Sequence, residues 1–235
     1  MNTYRRTAVI VGVLYIIGTA SGILSLAATS SVLVEPPTFL EVFSQISANQ
    51  SQLILGALLI LLMGLSLAMI PVVMYPILKR QNETLALGYV VVRGALEAFT
   101  YLMITVSWLL LVTFSHEFIA AGAASDSQFE ILGIVLAESH HWITHLTEII
   151  FPIGALMFYY LLYQMHLVPR WISVWGLIAA IPYFVSGFLA IFGIIEATST
   201  AQAIMVMPLA LQEMIMALWL IFRGFNSSAL SAKFA

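Results

Sequence analysis

Six apolar stretches, each of about 20 residues or more, fill this chain, and each is long enough to cross a bilayer as a helix. They run over Ala8–Ala28, Leu53–Leu78, Leu85–Phe114, Phe129–Tyr163, Trp171–Ile195 and Ala201–Phe222. The third and fourth exceed what a bilayer requires, so they are expected to tilt or to project beyond it. Composition agrees. Of 235 residues, 62% are hydrophobic and 8% charged, whereas soluble domains carry about 25% charged residues. No segment is polar enough for a separate soluble domain. The expected fold is therefore all-α: one polytopic membrane domain over residues 1–235, a bundle of six transmembrane helices with the lipid bilayer as its partner.

Basic residues set the expected orientation. Arg5 and Arg6 precede the first stretch, Lys79 and Arg80 separate the second from the third, and Arg170 separates the fourth from the fifth. Arg223 and Lys233 follow the sixth. The other three connections contain no Lys or Arg and carry Glu35, Glu41, Glu117, Asp126 and Glu196. The positive-inside rule then puts both termini in the cytoplasm of a multi-pass cell-membrane protein. The first apolar run is longer than the roughly 7–15 residues of a signal-peptide core, so it is expected to persist as a helix.

The net charge of −3 offers no footprint for nucleic acid. The absence of cysteine excludes disulfides, thiolate nucleophiles and cysteine-ligated metals. Capping patterns mark helix starts at Asn82, at Ser127–Glu130 and at Thr38–Glu41. The last follows Pro36-Pro37 and opens a short helix, Thr38–Ala48, expected to lie on the outer surface with Phe39, Phe43 and Ile46 on one face. Pro71, Pro76, Pro152, Pro182 and Pro208 fall inside spans, where each frees a carbonyl. Gly18 and Gly22 give the first span a small face for close helix approach.

Several strings carry a family likeness: Tyr75-Pro-Ile-Leu-Lys-Arg80 with Asn82-Glu83, Ala86-Leu-Gly-Tyr89, Arg93-Gly-Ala-Leu-Glu97, Pro169-Arg-Trp-Ile-Ser-Val-Trp-Gly176, and Gln212-Glu213 leading to Trp219-Leu-Ile-Phe-Arg-Gly-Phe225. In combination they resemble a bacterial membrane family catalogued as domain of unknown function 4386, from the first helix to Phe225. The resemblance implies six membrane helices and a bacterial source. It implies no activity and no catalytic residue. His140 to His145 lie outside these strings.

Ionisable residues inside spans are costly and mark candidate sites. Arg93 and Glu97 stand four apart on one helical face. At about 1.5 Å per residue, Arg93 lies roughly 12 Å deep, Glu97 roughly 18 Å and Glu213 roughly 14 Å from the same side. With Gln212 as a neighbour, they form an expected intramembrane polar pocket, with Trp219 placed to join or shield it. A second cluster, Glu138, His141, His145 and Glu148, shares a face of the fourth span toward the outer side. His141, His145 and Glu148 have the residue types of a divalent-metal site. Two histidines on one helix need a further ligand, for which His116 and Glu117 are the outer-side candidates. No cofactor is otherwise expected. Trp142, Trp171, Trp175 and Tyr163 are placed as interfacial anchors.

Three functions fit these residues. One is binding or transport of a proton, a cation or a small polar solute in the Arg93, Glu97 and Glu213 pocket. Another is a metal-dependent membrane enzyme at the outer cluster, with activated water. The last is a non-catalytic scaffold or partner subunit. Enzyme activity, ligand and oligomeric state are left open by the residues. Charge counting adds that at least one of Glu97, Glu148 and Glu213 should be neutral, or neutralised by His145 or a bound cation.

Overall fold

In lipid the backbone must satisfy its own hydrogen bonds, and helices do so within one segment. A computed structural model, describing residues 3–33, 39–122, 127–196, 199–226 and 228–229, is helical accordingly. Seven helices stand among the described residues: α1 (Thr3–Thr29), α2 (Phe39–Ala48), α3 (Gln50–Leu78), α4 (Glu83–Ala120), α5 (Ser127–Met165), α6 (Arg170–Ile191) and α7 (Thr200–Phe222). All but α2 are long and apolar enough to cross a membrane. Their outward faces expose side chains such as Leu26, Leu65, Phe99, Ile178 and Ile204. That surface suits hydrocarbon and not water.

The six long helices form a closed ring in which each packs on the next in sequence and α7 returns to α1. Small residues allow this closure. A Cβ added at Gly12 of α1 would stand 2.6 Å from the Ala217 carbonyl oxygen of α7. The start of α1 and the end of α7 meet at the same place. The Arg5 guanidinium donates to the Ile221 carbonyl at 2.6 Å and to those of Leu220 and Phe222, satisfying the unpaired C-terminal carbonyls of α7. Both ends of the described chain therefore lie at one end of the ring.

Helix boundaries follow local chemistry. Asn82 accepts from the Leu85 N–H at 2.9 Å and caps α4, as its position predicts. The expected capping contacts of Thr38 and of Ser127–Glu130 lie outside the described residues, as do Glu35, Pro36-Pro37, Asp126 and Lys233. α6 ends at Ile191, short of the Ile195 expected from hydropathy. Gly193 takes φ 66°, and the N–H groups of Gly193 and Ile194 close on the carbonyls of Ala190 and Leu189. This glycine-terminated cap stops the helix although the following residues are apolar. α2 turns its Phe43 and Ile46 face onto the bundle, where Phe43 packs edge-on against Phe114 at 4.9 Å.

Candidate functional site

The expected pocket begins at an irregularity in α4. Over Val90–Leu96 the helix widens into a π-helical stretch, and the Glu97 N–H bonds the Val92 carbonyl five residues back. Such stretches are rare and favour functional positions. Arg93 sits on it with 1% exposure and Glu97 follows with none. Gly154 of α5 makes room: a Cβ there would come within 3.2 Å of the Arg93 Cβ.

Arg93 reaches two carboxylates. Nη1 lies 3.4 Å from Glu97 Oε2, and Nη2 donates to Glu213 Oε1 across the ring at 3.2 Å. The guanidinium stands over the Phe151 ring at 4.4 Å and near the Tyr15 ring at 5.8 Å. The Tyr101 hydroxyl donates to Glu97 Oε1 at 3.2 Å. Depths agree too. Arg93 is ten residues from Glu83 and Glu213 ten from Arg223, or roughly 15 Å from the same end of the ring.

These groups face a cavity of about 240 Å³. Every long helix lines it: Gly22 from α1, Met63 from α3, Arg93, Glu97 and Tyr101 from α4, Phe151 from α5, Tyr183 from α6 and Glu213 from α7. Among the described residues, the buried Arg93 Nε and Glu97 Oε2 have no hydrogen-bond partner. Buried polar atoms are nearly always paired, so such atoms need an explanation. Tyr15, Tyr101 and Tyr183 stand at the cluster, and Tyr89 and Tyr159 are buried in the same core. In sequence they look like ordinary apolar packing, and no local signal separates them from the other aromatics.

Gln212 does not join the pocket. It points the other way and donates to the Ile172 carbonyl at 2.9 Å, tying α7 to α6. Trp219 lines a separate groove near the end of α7.

The second cluster is brought together in part. Glu148 Oε2 lies 3.4 Å from His145 Nδ1, and Oε1 accepts from Gln202 Nε2 of α7 at 2.6 Å. Gln202, which no sequence pattern singles out, sits beside the Ser199 cap that opens α7. Pro152 stands four residues after Glu148 and leaves the Glu148 carbonyl without its helical donor. Glu138 is exposed, and the His141 ring lies tilted against that of His140 with centroids 3.9 Å apart. His116 pairs with Gln50 at 2.6 Å. Among the described residues, no three His, Asp or Glu side chains are grouped to hold a metal ion.

Tyr183 of α6 lines the cavity, and its ring meets Phe151 edge-on at 4.9 Å. One helical turn on, Gly187 allows α6 to approach the backbone of Glu148, where a Cβ would stand 3.1 Å from the Glu148 carbonyl carbon.

Comparison with curated proteins and with solved structures gives no match. A family model described as "Domain of unknown function (DUF4386)" matches residues 10–224, nearly the whole helical ring. The chain belongs to that family of unknown function.

Proposed function

We propose that the helical ring holds a small cation or a proton in the Arg93, Glu97 and Glu213 cavity and passes it across a bacterial cell membrane. The observation that carries this reading is the charge inventory of the cavity. One guanidinium faces two carboxylates. With all three ionised, one negative charge is uncompensated where lipid cannot solvate it. A proton or a small cation shared by the Glu97 and Glu213 carboxylates supplies the missing charge. The apolar side of the cavity, Ile23, Met63 and Leu67, admits little beyond a small solute.

Tyr101 and Tyr183 line the cavity beside Glu97, and a second polar group, Glu148 with His145 and Gln202, stands nearer the opposite end. The bilayer is the solvent for the outward face. The basic residues at the connections support a cytoplasmic side for both termini.

Flux in proteoliposomes is the test. Purified full chain is reconstituted with a pH-sensitive dye inside, and an ion gradient is imposed. The expected result is proton or alkali-cation movement that Glu213→Gln or Glu97→Gln abolishes. Flux equal in wild type and both variants, or none from folded wild type with any gradient, contradicts the reading.

A further inference from the structure

A second cavity is larger than the charged one at mid-depth. It lies where α5 turns into α6, beside the end of α7, and has a volume of about 380 Å³. His166, Arg170, Trp219, Arg223 and Asn226 line it, and no carboxylate among the described residues does. Both arginines are exposed, and among the described residues neither forms an ion pair. The Arg170 guanidinium lies over the Tyr163 ring at 5.3 Å, which holds the start of α6 at the groove. The floor is fixed by the Asn226 N–H, which bonds the Leu167 carbonyl at 2.9 Å and folds the tail of α7 onto the turn.

We infer that this groove binds the phosphate headgroup of an anionic phospholipid. Two guanidinium groups offer the planar fork geometry that fits phosphate oxygens. Basic pockets between membrane helices recognise anionic headgroups in this way. The groove also sits at headgroup level. Trp171 on the first turn of α6 is half exposed and lies 6.3 Å from Trp175, ring to ring, as in an interfacial aromatic belt. The buried Leu167, Val168 and Phe225 line the same groove and give the glycerol and upper acyl carbons an apolar wall. A free phosphate has no use for that wall, so the lipid is the better occupant. The assignment is independent of the mid-depth cavity.

Native mass spectrometry of the full chain, released from detergent containing phosphatidylglycerol or phosphatidylcholine, tests it. Wild type should retain phosphatidylglycerol in preference. Arg170→Gln with Arg223→Gln should bind it roughly thirtyfold more weakly, at about 1 kcal/mol for each basic residue at the surface. The pair Arg6→Gln with Lys79→Gln removes the same charge elsewhere and should leave retention nearly unchanged. Equal weakening by both pairs would mean diffuse surface attraction and overturn the site. Displacement of the lipid by inorganic phosphate at equal concentration would overturn the lipid assignment. If the glutamine pair fails to fold, Arg170→Lys with Arg223→Lys keeps the charge but not the fork. Weaker retention by this pair supports the site, and unchanged retention overturns it.

Discussion

Arg93 Nη2 and Glu213 Oε1 lie 3.2 Å apart although 120 residues separate them in sequence. The contact joins the π-helical stretch of α4 to the middle of α7, from opposite parts of the ring. It fixes the depth at which the two helices stand against each other, and it is nearly sealed from solvent. Removing one partner leaves the other charge buried. Arg93→Ala should therefore destabilise by about 3–5 kcal/mol. In a double-mutant cycle with Glu213→Ala, the coupling should be about 0.5–3 kcal/mol. Thermal unfolding in detergent measures both, and additive losses would argue against the direct contact.

The ion triad was legible because charge in an apolar stretch is conspicuous and helical rise converts residue number into depth. Three features were not legible. The π-helical stretch has no local signature in Val90–Leu96, whose residues suit an ordinary helix. Gln212 follows the same polar logic as Glu213 but points about 100° away, since adjacent helical residues never share a face. The Glu148–Gln202 bond depends on how α5 and α7 meet, which periodicity within one helix does not encode. The early stop of α6 was written in the sequence, at Gly193, but hydropathy alone outweighed it.

Closure of the ring rests on Gly12. The obstacle to a larger residue there is the Ala217 carbonyl, which is backbone and cannot rotate aside. Gly12→Ala should push α1 from α7 and destabilise by about 1–3 kcal/mol, as overpacking does. An unchanged melting temperature would show that the two helices separate without loss.

His166 takes φ 55°, in the left-handed region that glycine occupies freely. His166→Gly should relieve a cost of about 1–2 kcal/mol and raise the melting temperature. A fall would mean that side-chain contacts of His166 outweigh the backbone cost.

Orientation can be read directly because the chain has no native cysteine. Single cysteines at Gln81 and at His166 should resist an impermeant thiol reagent in intact cells. One at Glu196 should react. Labelling of His166→Cys from outside would invert the topology.

The Arg93, Glu97 and Glu213 cavity should carry a bound proton or cation. Infrared difference spectroscopy of the purified chain across a pH titration tests it most directly, with elemental analysis for bound cations. Glu97→Gln, Glu213→Gln and Glu148→Gln assign the carboxyl bands. The expected result is a protonated carboxyl band at neutral pH that Glu97→Gln or Glu213→Gln removes, or a stoichiometric cation that the same variant releases. Both cavity glutamates ionised at pH 7, with no cation bound, would contradict it.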